Sequence, residues 1–283
     1  MGRALRGETK GGVNVGEYTD KINDMVWSYS RITAFAQCKY QFYLKYIVAD
    51  DDEYYPEGNY YAEVGSFVHE ILAMIFRKEL SVDDAARYFV DHFDENVFYH
   101  TKQSIEDKTF EACADYFCNV GFDWLDHFDV LGVEKEINDD IGGYKFTGFI
   151  DLLVRNKETG DIILIDHKSA KYPLSKKTGN VLKAQEASFE SYKKQMYLYC
   201  HAIKQEYGEF PKRIVWNHFK EQDIVDIPFN YEEYVATLKW FVETIANIEH
   251  EDSFSETYDY FYCKNLCDFR SSCEYAKYRE EGE

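Results

Sequence analysis

Two acidic residues and a lysine lie close together on a predicted hairpin in the middle of the chain. The four residues 157–160 have the composition of a turn, and the resulting register sets Asp151 opposite Asp166, with Lys168 two residues further along the same face. Opposed carboxylates repel each other unless a cation lies between them, so the pattern predicts a divalent metal site with an ammonium group beside it. Mg2+ or Mn2+ suits these oxygen ligands, and such a site can activate water against a phosphodiester. The alternative is an exposed hairpin whose charges are solvated.

The hydrophobic pattern predicts the elements that must hold these residues. Helical spacing covers the first half of the chain, and an alternating pattern begins near Val130. The predicted helices are Ser30–Ile47, one from near Val64 that carries His69 in its first two turns, one capped by Ser81, Ser104–Phe128, Leu182–Tyr207 and Tyr231–Ile248. The predicted strands are Val133–Ile137, Tyr144–Arg155, Asp161–Lys168, Arg213–Phe219 and Ile224–Ile227. This order predicts a mixed α/β (α+β) fold with a central mixed sheet flanked by helices.

We predict one domain preceded by an arm. Residues 1–25 contain five glycines and few large apolar side chains, which is typical of a flexible arm. The single domain, 26–283, comprises an N-terminal helical elaboration over 26–129, a catalytic core over 130–250 and a C-terminal cysteine region over 251–283.

The composition gives mixed indications about partners. The chain has 52 acidic and 32 basic residues, a formal net charge of -20, which argues against nucleic acid because phosphate contacts normally supply much of the affinity. Between Lys168 and Lys194, however, there are seven lysines and two glutamates. The candidate DNA contacts are Lys171, Lys176, Lys177, Lys193 and Lys194, although a solvated loop would have the same composition. Because we find no apolar run of membrane-spanning length and no signal peptide, we expect a soluble, cytoplasmic protein with no membrane partner.

Two further motifs flank the hairpin. Gly65-Ser66-Phe67-Val68-His69 precedes it, and Gln195-Met196-Tyr197-Leu198-Tyr199 follows it on the long predicted helix. With Asp151 and Asp166-His167-Lys168 between them, these segments resemble the GxxxH, catalytic and QxxxY motifs of the RecB-like branch of the PD-(D/E)xK nuclease superfamily. The resemblance implies a restriction-endonuclease-like core.

The resemblance also implies a role for each matched residue. The metal ligands would be His69, Asp151, Asp166 and the backbone carbonyl of His167. Lys168 would be the catalytic lysine, while Gln195 and Tyr199 would line the site and contact DNA or the catalytic groups. Taken alone, His69 is more often a hydrogen-bonded structural histidine, and Gln195 and Tyr199 could simply pack as neighbours on a helix.

Seven cysteines in a chain predicted to be intracellular indicate free thiols or metal ligands rather than a disulfide framework. Cys263, Cys267 and Cys273 lie within eleven residues near the C-terminus, a spacing that suits zinc or an iron-sulfur cluster but leaves a fourth ligand to be found. The remaining cysteines, Cys113, Cys118 and Cys200, occupy apolar helical positions and are predicted to be core residues.

The segment that ends at Cys38 resembles the upstream cysteine region of the CRISPR-adaptation and AddB-type nucleases of the same branch. The resemblance implies a 4Fe-4S cluster held by Cys38 with the three C-terminal cysteines, tying the two ends of the domain together. Two features depart from that family's pattern: Lys39 stands where many relatives have proline, and three residues rather than two separate Cys263 from Cys267. Zinc and unrelated reduced thiols are the alternatives.

Together these patterns predict a Mg2+- or Mn2+-dependent deoxyribonuclease, an exonuclease on single-stranded or end-bearing DNA that acts in repair or recombination. We expect it in a bacterial or phage-infected cell, where it could associate with the nucleoid. The candidate protein partners are a helicase and a recombination or adaptation protein. One alternative is a catalytically silent or partner-dependent nuclease-like subunit that binds DNA. Another is a zinc-stabilised interaction protein.

Overall fold

The central element is a five-stranded mixed sheet. The computed structural model describes residues 15–49, 55–251 and 253–275. Neighbouring strands are antiparallel except for the third and fourth, which run parallel. In spatial order, which is also chain order, the strands are β1 Phe128–Ile141, β2 Tyr144–Asn156, β3 Ile162–Lys168, β4 Arg213–His218 and β5 Asp223–Pro228. With the helices given below, this confirms the predicted mixed sheet flanked by helices.

The β2–β3 hairpin has the predicted register. Leu152 pairs with Ile165 and Val154 with Ile163. The N–H of Asn156 donates to the carbonyl of Asp161 at 2.9 Å, and the loop closes through Gly160, whose φ of 77° favours glycine. Continued by one residue, this register sets Asp151 opposite Asp166, just beyond the last paired residues of β2 and β3.

The chain divides by internal contacts into two compact units, Met1–Glu57 with Lys239–Glu283, and Gly58–Leu238. The second unit contains the sheet with the helices α4 Tyr60–Phe76, α5 Val82–Asn96, α6 Gln103–Asn119 and α7 Glu186–Tyr207. Its core packs the apolar face of α4 against one face of the sheet, at Leu152, Val154 and Ile165. These bounds differ from the predicted parts 26–129, 130–250 and 251–283, because the first helices share a unit with the C-terminal segment.

Two helix bounds in the sheet-containing unit differ from prediction. Helix α4 begins at Tyr60, because the side chain of Asn59 caps it by accepting the N–H of Ala62, and His69 therefore lies in its third turn. Helix α6 ends at Asn119, well before the predicted Phe128. A 3-10 turn at Asp123–His127 separates it from β1.

The first unit contains α1 Val15–Asn23, α2 Tyr29–Gln37, α3 Lys39–Phe42, a π-helical turn at Tyr43–Ile47 and α9 Tyr260–Asn265, while α8 Tyr231–Glu249 crosses the boundary between the units. Residues 15–23, predicted to belong to a flexible arm, are helical, and Ile22 is buried. The rest of the predicted arm up to residue 14 lies outside the described residues. None of the helices in the described ranges is long and apolar enough to cross a membrane.

The predicted single helix Ser30–Ile47 is interrupted at Cys38. Ser28 caps α2 by accepting the N–H of Arg31 at 3.2 Å. Cys38 is extended, with φ -159° and ψ 113°, so it ends α2 and precedes α3.

Candidate active site

Three acidic residues form a row across neighbouring strands. The pairs Val133–Leu152 and Lys135–Ile150 flank Glu134 and set it opposite Asp151 on β2. Asp151 is the residue before Leu152, which pairs with Ile165 on β3. The same register sets Asp151 opposite Asp166. One carboxylate therefore comes from each of β1, β2 and β3.

Glu134 is the acidic residue that the motif analysis missed. It has a positive φ of 46°, just after a register shift between Val130 and Gly132. The carbonyl of Val133 accepts a hydrogen bond from the Arg77 guanidinium at 3.2 Å, which fixes the chain beside it. Gly132 directly precedes the predicted strand Val133–Ile137, and a glycine in a strand is a signal for such a bulge. Bulges redirect side chains near active sites.

His69 completes a set of three potential metal ligands. Its Nδ1 lies 3.8 Å from Oε1 of Glu134 and 3.6 Å from Oδ2 of Asp151. The ligand atoms of these three residues all lie within 4.8 Å of one another. A nitrogen and two carboxylate oxygens at this spacing can hold a divalent cation.

The backbone carbonyl of His167 orients the imidazole. Nε2 of His69 lies 3.0 Å from this oxygen, so the ring donates its Nε2–H there and directs the Nδ1 lone pair towards the carboxylates. The N–H of His167 meanwhile donates to Oδ2 of Asp151 at 2.7 Å. One peptide segment of β3 thus positions both a histidine and an aspartate of the site.

The electrostatics of the site favour a bound cation. Burial, and then the negative charge of Asp166, raises the pKa of Asp151 to about 7. Burial lowers the pKa of His69, but the neighbouring carboxylates of Glu134, Asp151 and Asp166 outweigh it and raise that pKa overall. A divalent cation bound here would neutralise the repulsion among the carboxylates, so that Asp151 and His69 would no longer need to hold a proton.

Lys168 forms an ion pair with Asp166. Its Nζ lies 3.0 Å and 2.8 Å from the two carboxylate oxygens and donates to Oε1 of Gln195 at 3.0 Å. Burial lowers the pKa of Lys168, but the neighbouring Asp166 raises it by more, so the side chain remains an ammonium group. The ring of Tyr192, which the sequence analysis did not single out, lies 4.9 Å from Nζ.

The two residues of the predicted QxxxY motif both face this site. The Nε2 amide of Gln195 donates to the hydroxyl of Tyr199 at 3.1 Å, so a chain of polar contacts runs from Tyr199 through Gln195 to Lys168. Gly148 on β2 makes room for the Tyr199 ring, because a Cβ at this position would lie 2.6 Å from it. The predicted catalytic residues are therefore neighbours in space.

The cleft beside the ligand set has a volume of about 620 Å3 and is lined by Tyr61, Ser66, His69, Arg77, Glu134 and Ser169, among others. Two of the predicted DNA-contact lysines already have acidic partners. Lys193 contacts Glu190 at 2.8 Å and Glu233 at 3.2 Å, and Lys176 contacts Asp223 at 2.5 Å. Lys171 and Lys177 are exposed in the segment after β3, and Lys194 is half-buried.

The four predicted cluster ligands line one cavity in the unit Met1–Glu57 with Lys239–Glu283. Cys38, Cys263, Cys267 and Cys273 surround it together with aromatic side chains that include Tyr262. The N–H of Thr257 donates to Sγ of Cys38 at 3.4 Å, and burial raises the pKa of Cys267 to about 12. The chain thus brings a cysteine from near its beginning to three near its end.

Ion pairs join the same two stretches of chain around this cavity. Lys39 contacts Glu251, Lys45 contacts Asp268, and Arg270 contacts Glu57 at 3.0 Å. Of the remaining cysteines, Cys113 and Cys200 are buried as predicted. The prediction that Cys118 is a core residue is wrong, because it lies on the exposed side of α6.

Comparison with known proteins assigns the family. Residues 26–274 match the model of the PD-(D/E)XK nuclease superfamily, and the chain belongs to it. Membership indicates a nuclease that uses a divalent metal ion, in agreement with the ligand set at His69, Glu134 and Asp151. No curated protein matches the chain.

Among solved structures, the chain is similar to the crystal structure of SSO0001. The identity is 16%, the match covers 75% of this chain and 96% of that one, and the TM-score is 0.32. A TM-score this low supports no conclusion about function.

Proposed function

We propose that the protein is a metal-dependent deoxyribonuclease. The observation that carries the proposal is the convergence of His69, Glu134 and Asp151 on one point, with the Asp166–Lys168 ion pair beside it. Ligands for a cation next to a fixed ammonium group suit the hydrolysis of a phosphodiester, where negative charge develops on the phosphoryl oxygens.

Each residue of the site has a role in this proposal. His69, Glu134 and Asp151 would hold the ion, which supplies Lewis-acid activation of water when bound. Asp166 would add a ligand oxygen while holding Lys168 in place. Because its pKa is raised, Lys168 acts as a cation that stabilises charge on the substrate rather than as a base.

The choice of Mg2+ or Mn2+ follows from the ligand types. Three carboxylates favour hard cations, while one imidazole nitrogen is accepted more readily by Mn2+. We therefore expect activity with both ions, and a ligand role for the carbonyl of His167 remains part of the proposal. In the metal-free geometry that carbonyl contacts His69.

The proposed substrate is single-stranded or end-bearing DNA, cleaved by an exonuclease. The support is the RecB-like order of the GxxxH and QxxxY motifs, with Gln195 and Tyr199 beside Lys168. The candidate phosphate contacts are Lys171, Lys176, Lys177, Lys193 and Lys194, of which Lys176 and Lys193 also contact acidic side chains.

We further propose a 4Fe-4S cluster held by Cys38, Cys263, Cys267 and Cys273. The proposal is supported by the one cavity that all four cysteines line, and by the resemblance of the segment ending at Cys38 to the AddB-type nucleases. Zinc is the alternative occupant, since thiolates bind both. The cluster would stabilise the unit that joins the two ends of the chain.

A second candidate function is a partner-dependent or catalytically silent DNA-binding subunit of a repair, recombination or adaptation complex. It is favoured by the net charge of -20 and by the acidic partners of Lys176 and Lys193. A helicase or an adaptation protein would then supply most of the basic surface that binds the DNA phosphates.

The test is cleavage of end-labelled single- and double-stranded DNA by anaerobically purified protein with Mn2+, Mg2+ or EDTA. The wild type should cleave only with metal, and Asp166→Ala should lose at least about 100-fold in rate, since it removes both a ligand oxygen and the partner of Lys168. Asp115→Ala, an exposed carboxylate on α6, is the matched control and should cleave normally.

Equal activity of Asp166→Ala and the wild type would contradict the proposed site. If cluster-loaded wild-type protein binds DNA but does not cleave it with either metal, the DNA-binding subunit becomes the better explanation.

A further inference from the structure

An exposed aromatic ring lies on the same strand face as Asp151. Along β2, from its start to Asp151, the side chains alternate between a buried face and a face that is open to solvent. The open face begins with the polar residues Lys145 and Thr147, but its next residue is Phe149, which is 54% exposed. Burial of a phenylalanine is strongly favourable, and the hydrophobic core leaves this one uncovered.

The pairing of β1 with β2 places Phe149 beside the candidate metal ligands. Phe149 pairs with Glu136, and the register sets Glu134 opposite Asp151. Side chains two residues apart on a strand share a face, and their Cα atoms are about 7 Å apart. The Phe149 ring therefore lies one step along the same surface from the carboxylate of Asp151.

The backbone that carries this ring is held from the buried face. A Cβ at Gly148 would lie 2.6 Å from the Tyr199 ring, so strand and helix are in close contact at this point. On the other side of Phe149, Ile150 is 1% exposed. An aromatic ring on a fixed backbone loses little conformational entropy when a flat partner stacks on it.

The charge next to Phe149 indicates which part of a DNA strand suits this surface. The paired residue Glu136 is exposed and accepts a hydrogen bond from Nδ2 of Asn138 at 3.1 Å. Its carboxylate repels a phosphate, whereas an uncharged nucleobase stacks favourably on an aromatic ring. A strand whose phosphate lies at the metal ligands and whose base covers Phe149 satisfies both conditions.

We propose that Phe149 stacks on an unpaired nucleobase next to the phosphodiester that is bound at the metal site. This inference rests on the proposed nuclease function and names the form of DNA that the site accepts. A base must leave the duplex stack before it can lie on a side-chain ring. The ring therefore selects single strands and frayed ends over intact duplex.

The test separates the bases of a DNA strand from its phosphates. Oligothymidylate and a strand of equal length made entirely of abasic residues carry the same charge, so the ratio of their Kd values reports the contribution of the bases. Fluorescence anisotropy of the labelled strands measures both values for the full chain, with Ca2+ in place of Mn2+ to limit hydrolysis. We expect the wild type to bind oligothymidylate at least about tenfold more tightly than the abasic strand.

Variants of Phe149 assign this preference to the ring. Phe149→Ala should lower the preference for bases about tenfold and leave the affinity for the abasic strand unchanged, while Phe149→Trp should retain the preference. Because the ring is exposed, its removal leaves no cavity in the core, and the Tm of each variant checks that it folds.

Tyr231→Ala is the matched control. Tyr231 is 62% exposed and follows β5, which ends at Pro228 beside Arg213. Arg213 begins β4, whereas Lys168 pairs with the other end of β4, so Tyr231 lies at the end of the sheet remote from the site. This variant should bind both strands as the wild type does.

Wild-type protein that binds both strands equally, or binds neither, would overturn the proposal. So would a Phe149→Ala variant that keeps the preference for bases, or one that binds both strands more weakly to the same extent, as a purely structural effect predicts. Cleavage with Mn2+ tests the nuclease function separately. A wild type that prefers bases but does not cleave would refute the nuclease function and support the stacking residue.

Discussion

Glu134 and Asp151 lie opposite each other on β1 and β2, and each turns a carboxylate oxygen towards Nδ1 of His69, at 3.8 Å and 3.6 Å. Two acidic side chains facing one nitrogen repel each other until a cation joins them. The pair therefore places Glu134 beside Asp151 among the candidate metal ligands.

Replacing Glu134 with glutamine should lower the affinity for Mn2+ at least about tenfold, since even outer-shell partners of a metal contribute about 10–100-fold. Isothermal titration calorimetry of metal-free protein measures it. Glu136→Gln, on the same strand and exposed, is the control and should bind Mn2+ normally. An unchanged affinity in Glu134→Gln would exclude Glu134 from the ligand set.

Asp151 should make the stability of the metal-free protein depend on pH. Its pKa is raised from 3.8 to about 7, so folding disfavours its ionised form, and stability is lost as pH rises through about 7. Asp151→Asn cannot ionise and should be more stable than the wild type at pH 8, by at most about 4 kcal/mol, with a smaller difference at pH 5.

Urea denaturation of both proteins in EDTA at the two pH values measures this difference. Mn2+ should stabilise the wild type at pH 8 and affect Asp151→Asn far less. A difference between the two proteins that does not change with pH would show that the carboxyl of Asp151 is not strained by burial.

Gly148→Ala should disturb the chain from Tyr199 to Lys168. The new Cβ would lie 2.6 Å from the Tyr199 ring, so the ring must shift. This shift would also displace the Tyr199 hydroxyl that accepts a hydrogen bond from Gln195. We expect a loss of about 1–3 kcal/mol in the free energy of unfolding and a lower kcat with little change in KM. Gly121→Ala, where a Cβ meets nothing within 4 Å, should leave kcat unchanged. An unaltered kcat in Gly148→Ala would indicate that Tyr199 does not position the site.

Cys267→Ser should remove most of the iron from anaerobically purified protein and lower its Tm, because Cys267 is a buried member of the four-cysteine cavity. Iron and zinc analysis with an absorption spectrum measures the effect. Cys118→Ser, which changes an exposed thiol on α6, should keep the metal content of the wild type. Wild-type protein with zinc and no iron would replace the cluster with a zinc site.

Much of the site could be predicted from the sequence because its geometry is local. A four-residue turn sets the register of the β2–β3 hairpin, so Asp151, Asp166 and Lys168 share a face whatever the rest of the chain does. The alternating and helical patterns likewise predicted which segments form the five strands and that the sheet is mixed. Helix bounds were less accurate where a single cap decides them, as Asn59 does for α4.

Contacts distant in sequence were decided by the tertiary structure. Glu134 enters the ligand set through a bulge whose register depends on the pairing of β1 with β2. The carboxylate that engages Lys193 at 3.2 Å belongs to Glu233, forty residues further along the chain. The extended backbone of Cys38 interrupts a pattern that by itself predicts a continuous helix. Periodicity reports which face of an element is buried, but which side chains meet across elements depends on packing that no local pattern encodes.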